Sequence, residues 1–489
     1  MTRYFYKHQH ELDLGSLEGN SVISNPTGGV AAMSAKPIKH RKKRIQKEEA
    51  NNHIMLPYIN SIEITNFKSI KKVKFKLQSN ISSKSVFTLE DNDLFLESLA
   101  SWTVILGNNG VGKSTILEAI ALALVGASKA VELFPPKAAK KFIRRGSSTC
   151  SVKLEFADGT KSKLKIQKTK GIIFEEGKEE KNILIRAYGH VRLIPKDKIN
   201  KQPQRVEIDN LYDPHFQLCN VNEFFLNLSE EPTEHIEISP FTFAVQTLRD
   251  IIPEMDTDEI KKIDDETIEL SIAGKKLFLE ELSSGYQSVL VLAADIMSSL
   301  KNNLTNMQNE PGIVLLDEIG SQLHPSWRMR IVRDLRKAFP KIQFIATTHE
   351  PLCLKGIATE EIIKIDRDGA QQLDKTIHPD VSKLRVDQLL TSPLFGLEST
   401  IDPSVDKKFK EYYELLVNEN ENTDKIIKLK GELAKYNTLG HTRRDQLLYD
   451  IIDKYVAENP TTVNKIEIDE DLKKKVIETW TYAKGRNQI

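Results

Sequence analysis

The stretch Gly107-Asn108-Asn109-Gly110-Val111-Gly112-Lys113-Ser114-Thr115 decides the fold, because it fits the pattern GxxxxGK[ST]. The short apolar run SWTVILG leads into it. GKSTILEAIALALVG leads out of it, with Ile116, Leu117, Ile120, Ala121 and Leu124 on one helical face. A strand, a glycine-rich turn and a helix in that order make a phosphate loop. Glycines let successive backbone N–H groups curl around phosphate oxygens, and the helix N-terminus adds its positive end. Asn108, Asn109, Gly110 and Gly112 line the cradle. In such a loop Lys113 reaches the β and γ phosphates, while the Ser114 hydroxyl, followed by Thr115, holds Mg²⁺. The expected class is therefore α/β, a P-loop nucleotide-binding fold.

Working outward, Gly312-Ile-Val-Leu-Leu-Asp317-Glu318 places two carboxylates after a run of four apolar residues. On a buried parallel strand that is the ligand-binding edge of the sheet. Asp317 would orient Mg²⁺, and Glu318 would polarise an attacking water as general base. By itself such a run is usually a strand meeting a solvated turn; the phosphate loop changes that reading. Upstream, Glu281-Leu282-Ser283-Ser284-Gly285-Tyr286-Gln287 opens a helix. An ordinary N-cap explains the serines equally well in isolation. Between a phosphate loop and an acidic strand, Ser283 and Gly285 form a second anion site, one that can meet the γ-phosphate held by another chain. Finally, IQFIATTH ends in His349. A lone histidine there is commonly structural, but this strand follows the acidic one, which sets the ring near the γ-phosphate.

The rest of the chain sets the frame. Its 489 residues are enough for two or three domains. Lys plus Arg number 70 and Asp plus Glu 69, so neither a uniformly basic coat nor an acidic tail is present. Cys150, Cys219 and Cys353 are far apart and lack a CxxC spacing, as suits a reducing cytosol. No apolar run reaches the roughly 18 residues of a membrane span. Residues 1–55 are turn-rich and then basic, and read as a solvated extension or a phosphate-binding arm. YINSIEITNFKSIKKVKFKL suggests two strands, and residues 151–195 several more, with Asp158-Gly159 at a hairpin turn. Residues 240–262 look helical, TIELSIAGKKLFLEEL looks like a hairpin turning at Ala273-Gly274, and SWRMRIVRDLRKAFP looks like one helix. Beyond residue 380 the pattern becomes charged amphipathic helices. The expected domains are 1–55, a nucleotide-binding domain over 56–380 with an insert near 150–260, and a helical domain over 381–489.

The set GNNGVGKST, LSSGYQS, IVLLDEI followed by SQLHPSW, and IQFIATTHEP resembles the ABC-type ATPase heads of the RecF, SMC and OLD group. The resemblance covers roughly residues 58–365. It implies a head with a mixed sheet, covering helices and an antiparallel β subdomain. It implies ATP and Mg²⁺ at Lys113, Ser114, Thr115 and Asp317, water activation by Glu318, and γ-phosphate sensing by His349. Ser283 and Gly285 would act in trans in a head homodimer or larger homo-oligomer. Two departures stand out: Gly320 occupies a position that is acidic in many relatives, and Glu350-Pro351 replaces the Ser-Pro common after the histidine. AYGHVR (187–192) occupies the stretch comparable to a Q-loop.

AYGHVR, LHPSW and the tail SPLFGLESTIDP are similar to the PtuA-like ATPases of Septu-type and retron-linked antiphage systems. That likeness implies a cytoplasmic regulatory ATPase holding an HNH-type nuclease on a separate chain. The alternative is a RecF-like DNA-repair ATPase, and basic clusters such as Lys137–Arg145 leave a nucleic-acid partner open. A transporter subunit fits poorly, since the long span from Lys113 to Asp317 holds a large insertion. A nuclease of its own is disfavoured, because Asp366-Arg367-Asp368 lacks an upstream glutamate strand and His441 lacks the companions of an HNH site.

Overall fold

The computed structural model describes residues 58–77, 102–177, 183–192, 207–229, 239–252, 254–264, 266–300, 310–366, 370–372, 380–397, 399–400, 402–418 and 424–433. The expected basic extension (1–55) and the tail helix over TRRDQLLYDIIDKYVAENP lie outside the described residues.

The hairpin expected from YINSIEITNFKSIKKVKFKL forms as β1 (Ile59–Phe67) and β2 (Ile70–Lys76), antiparallel, with Phe67 opposite Ile70. Strand β3 (Trp102–Leu106) is buried along its whole length. Strands β4 (Thr149–Phe156), β5 (Lys161–Gln167) and β6 (Gly171–Glu176) build onto the free edge of β1, giving the antiparallel order β2-β1-β4-β5-β6. Alternation decides which face turns inward: Cys150, Val152, Leu154 and Phe156 are buried while their neighbours are only half-buried. At the β4–β5 turn, Gly159 takes φ 81° and Asp158 Oδ1 accepts the Thr160 N–H at 2.9 Å.

Strand β7 (Leu184–Tyr188) leaves that sheet and joins a second one. The three-stranded meander β8 (Met255–Lys262), β9 (Ile268–Ile272) and β10 (Lys275–Leu277) stands apart, and turns through Ala273 and Gly274 at φ 51° and 75°. The second sheet adds β11 (Gly312–Leu316), β12 (Ile342–Thr348), β13 (Ile362–Ile365) and β14 (Ala370–Gln372) in the order β14-β13-β3-β12-β11-β7. All its pairings are parallel except that of β14. Residues alternate between two cores. Ile105, Ile313, Leu315 and Ile345 face the antiparallel sheet across helix α1 (Lys113–Leu124). Val104, Leu106, Val314, Leu316, Phe344 and Ala346 belong to the core shared with α2 (Val221–Ser229), α3 (Pro240–Ile251), α4 (Ser284–Ser299) and α5 (Ile331–Ala338). Helix α1 lies between two sheets, which explains why its sequence is apolar on nearly every side.

Two expectations need correction. Residues 240–262 are not one helix: α3 ends at Ile251, and Met255–Lys262 is a strand. Pro253 has no N–H to continue a helix and disfavours helical backbone in the residue before it. SWRMRIVRDLRKAFP is also divided. A single turn at Pro325–Arg328 precedes α5, and Arg330, at φ −125°, separates them. Beyond residue 402, Pro403–Asn418 and Asp424–Leu433 pack around a small core of Val405, Phe409, Tyr412, Ile426 and Leu433.

The helix-covered parallel sheet with an antiparallel sheet across α1 is a mixed α/β P-loop fold of the ABC-type ATPase-head class. Among the described residues, no helix is long and apolar enough to cross a membrane.

Candidate nucleotide site

Parallel strands deliver their C-terminal ends to one edge. Strand β3 runs into the loop at Gly107, β11 into Asp317, β12 into His349 and β7 into Gly189. Their registers align these ends: Leu106 pairs with Thr348, and Leu316 with both Ala346 and Tyr188. Four segments distant in sequence therefore converge.

The loop has the backbone that its glycines permit. Gly110 and Gly112 take φ 81° and 102°. A Cβ at Gly107 would stand 2.5 Å from the Ile365 carbonyl oxygen, so no other residue fits there. Asn108, Asn109 and Gly110 are exposed, and nothing lies within 4 Å of where a Gly110 Cβ would stand. Lys113 is only 5% exposed, and its Nζ donates to the carbonyls of Gly107 at 2.9 Å and Asn108 at 3.3 Å. Its ammonium is thus already folded over the loop that an anion would occupy. Thr115 follows, half-buried.

Ser114 Oγ donates to Asp317 Oδ1 at 3.0 Å across 203 positions of chain. Thr347 Oγ1 donates to the same oxygen at 2.6 Å and accepts the Glu318 N–H at 2.8 Å. Glu318 has φ 46°, a left-handed backbone that costs a non-glycine residue about 1–3 kcal/mol and persists only where its surroundings impose it. They do here. The Asp317 N–H is bonded to Tyr188 O at 2.8 Å and the Ile319 N–H to Thr347 O at 3.0 Å. The result aims the Glu318 carboxylate between two groups, Lys113 Nζ at 3.4 Å and His349 Nδ1 at 2.8 Å. His349 is 46% exposed, and its other ring nitrogen, Nε2, lies 3.7 Å from Glu350 Oε1.

These residues fit a nucleotide with Mg²⁺. The loop is open on its outer side, and Ser114 with Asp317 offers two hard oxygen donors already in contact. Among the described residues no cluster of three or more His, Cys, Asp or Glu side chains could cage a metal. The Ser114–Asp317 pair suits Mg²⁺, which takes one or two carboxylates and fills its octahedron with phosphate and water.

Ser283 and Gly285 are placed elsewhere. Ser283 is the exposed N-cap residue of α4, without a side-chain cap bond. A Cβ on Gly285 would stand 3.0 Å from Gln322 O, so the helix start packs against the Ser321–Pro325 turn. Tyr286 meets Trp327 edge-on at 4.6 Å, adding to that contact. None of the hydrogen bonds or ion pairs described for Lys113, Asp317 or Glu318 involves Ser283 or Gly285 in the same chain.

Both departures from the usual pattern have physical reasons. At Gly320, a Cβ would stand 2.7 Å from Cys353 Sγ, which leaves no room for an acidic side chain. Glu350 instead supplies a carboxylate, pairing with Arg328 Nη1 at 2.8 Å while Arg328 Nε holds Gly320 O at 3.1 Å.

Sequence reasoning missed two residues here. Thr347 touches both carboxylate-bearing residues; its signal was a pair of threonines interrupting an apolar strand. Arg192 is 3% exposed, and its Nη2 donates to Asp317 O at 2.6 Å. Burial pushes its pKa down to about 10 against the raising effect of Asp317, which leaves the guanidinium charged at neutral pH. The AYGHVR segment stood out, but its last residue had no assigned role.

The family described as RecF/RecN/SMC N terminal domain matches residues 79–372, more than half of the chain. The Septu protein PtuA of Bacillus mycoides (strain KBAB4) is 35% identical over 432 residues, covering 86% of this chain and 56% of that protein. The Retron Vc95 probable ATPase of Vibrio cholerae serotype O1 biovar El Tor is 37% identical over 112 residues, 22% of each chain. This chain therefore spans about half the length of the first relative and under a quarter of the second. Among solved structures, an SMC head bound to the C-winged helix domain of ScpA aligns with 66% of this chain and 99% of its own, at 15% identity and a TM-score of 0.38. With its phosphate loop, acidic strand end and histidine gathered at one sheet edge, and most of its length inside that match, the chain belongs to the RecF/RecN/SMC N-terminal domain family of ATPase heads.

Proposed function

We propose that this chain is the ATP-binding and ATP-hydrolysing regulatory subunit of an antiphage defence system. The carrying observation is the convergence of Lys113, Ser114, Asp317, Glu318 and His349, together with the identity to a Septu PtuA over most of this chain.

In this reading Lys113 exchanges its loop carbonyls for the β and γ phosphates. Backbone N–H groups from Asn108 to Thr115 receive the phosphate oxygens, and the start of α1 adds its dipole. Ser114 and Asp317 hold Mg²⁺, which when bound neutralises charge across the β and γ phosphates. Glu318, released from Lys113, takes the proton of the attacking water on its carboxylate, and His349 donates a hydrogen bond toward the γ-phosphate.

Two heads face each other, and the Ser283–Gly285 helix start of each closes the pocket of the other. Ser283 supports this role by standing exposed with its hydroxyl unused in capping. The domain over 56–380 is the engine, and the helices beyond residue 381 dock a partner. That partner is an HNH-type nuclease, with nucleic acid as the final target, in the cytoplasm. Co-purification from the native host tests the reading. Recovery of a small HNH protein supports it, and recovery of recombination proteins instead points to a RecF-like repair role.

A further inference from the structure

The guanidinium of Arg192 is buried, yet the hydrogen bonds it makes go to carbonyl oxygens. Nη2 reaches Asp317 O at 2.6 Å and, more weakly, Glu318 O at 3.4 Å; Nε reaches Gly189 O at 3.2 Å. A buried cation is costly, and its retention asks for a reason. The peptide it grips is the one at which Glu318 enters left-handed backbone. On the strand side the N–H of that peptide donates to Thr347 Oγ1 at 2.8 Å, and the flanking Asp317 and Ile319 N–H groups donate to Tyr188 O and Thr347 O. Arg192 is the restraint on the carbonyl side.

The segment that delivers Arg192 is itself held. Asn210, 3% exposed, accepts the Gly189 N–H on Oδ1 at 2.9 Å and donates from Nδ2 to Val191 O at 3.2 Å and Phe216 O at 3.1 Å. A Cβ at Gly189 would come within 2.8 Å of Asn210 O, so glycine is required for this approach. Tyr188 adds a tie to α4, since its hydroxyl donates to the buried Asp295 Oδ2 at 2.9 Å. The turn 189–192 is therefore clamped on both sides.

We propose that Arg192 is a positioning residue for hydrolysis: Nη2 fixes the Asp317 carbonyl and, more weakly, that of Glu318, while Nε anchors to Gly189 O, and together they set the direction of the Glu318 carboxylate. This inference rests on the ATPase reading above. It assigns Arg192 no contact with the nucleotide. A lysine carries its donors on one nitrogen, whereas the guanidinium spans from the Asp317 carbonyl to Gly189 O with Nη2 and Nε in one fixed plane, so lysine does not reproduce that span. A misplacement of the base by about 1 Å is worth on the order of 10²-fold in rate.

The test uses the full chain with Arg192→Lys and Arg192→Met, each alone and combined with Glu318→Gln. Nucleotide affinity is read by titration with a fluorescent ATP analogue, turnover by phosphate release, and folding by thermal melting. The expected result is turnover lowered on the order of 10²-fold in both single variants, with analogue affinity within about twofold of the parent. In the Glu318→Gln background, Arg192→Lys should cause no further loss, because the group it positions is already gone. Parent-like turnover in Arg192→Met overturns the proposal and leaves the ATPase reading intact. Loss of analogue binding in step with turnover, or full additivity with Glu318→Gln, also overturns it, since either marks a binding or general structural role. A parent chain that binds ATP but never turns it over sinks the ATPase reading and this proposal together.

Discussion

Glu318 Oε2 lies 2.8 Å from His349 Nδ1, joining residues at the ends of adjacent parallel strands. The other oxygen of Glu318 lies 3.4 Å from Lys113 Nζ. The Glu318 carboxylate is thus shared between the Lys113 ammonium and the His349 imidazole; in the proposed function the ammonium lets it go and the imidazole stays with it. Different failures follow when each partner is removed.

Lys113→Ala should abolish nucleotide binding, because the loop loses its one buried ammonium. Glu318→Gln should keep binding and lower turnover by about 10²–10⁴-fold, the usual worth of a general base. Equilibrium titration beside phosphate release separates the two. Equal loss of affinity in both variants contradicts the division of roles.

His349→Ala should reduce kcat far more than it raises KM, since the ring faces Glu318 and the expected γ-phosphate position and not the loop. A steady-state profile with an unchanged kcat would remove His349 from the mechanism.

Gly320→Asp should destabilise the fold by about 1–3 kcal/mol, the range for forcing extra atoms into packed space. The added Cβ would meet Cys353 Sγ at 2.7 Å. A lower urea midpoint, partly restored by Cys353→Ala, is the expected outcome. An unchanged midpoint would show that Cys353 swings aside freely.

Glu361 is buried and takes both Nη atoms of Arg336 together with the Trp102 N–H, at 2.8–3.1 Å. Glu361→Ala leaves a buried guanidinium unpaired and should cost about 3–5 kcal/mol. Thermal unfolding measures it, and an undiminished midpoint would contradict the burial.

Burial pushes the Cys150 and Cys353 thiols up to about 12 from an ordinary value of 9.0. Both are then protonated in the native state at pH 8.5 and should alkylate slowly until urea is added, as mass spectrometry of labelled peptides would show. The linkage has a definite sign. A raised folded pKa contributes stability fully below pH 9, and that contribution fades as pH climbs from 9 toward 12. Rapid native labelling of Cys353 would contradict its placement beneath Gly320.

The parts of the site that lie in contiguous sequence were legible beforehand. Gly107–Thr115 announced itself by glycine spacing, and Asp317, Glu318 and His349 by their places after apolar runs. Positions set by pairing were not legible. NILIRAYG reads as a strand but carries nothing that says it leaves the antiparallel sheet to lie beside β11. That choice brings Arg192 and Tyr188 to the acidic pair. Thr347 was hidden because a hydroxyl on a buried strand looks like any tolerated threonine until its partners are known. The misread helix over 240–262 has a local cause, since Pro253 outweighs the surrounding periodicity.

In the proposed function ATP is enclosed between two copies of this chain, with Ser283 of each completing the other's pocket. Light scattering of the Glu318→Gln protein after gel filtration tests it most directly, with and without ATP and Mg²⁺. The expected result is a nucleotide-dependent doubling of mass that Ser283→Arg abolishes while ATP still binds. A mass indifferent to ATP, or a doubling that survives Ser283→Arg, would contradict it.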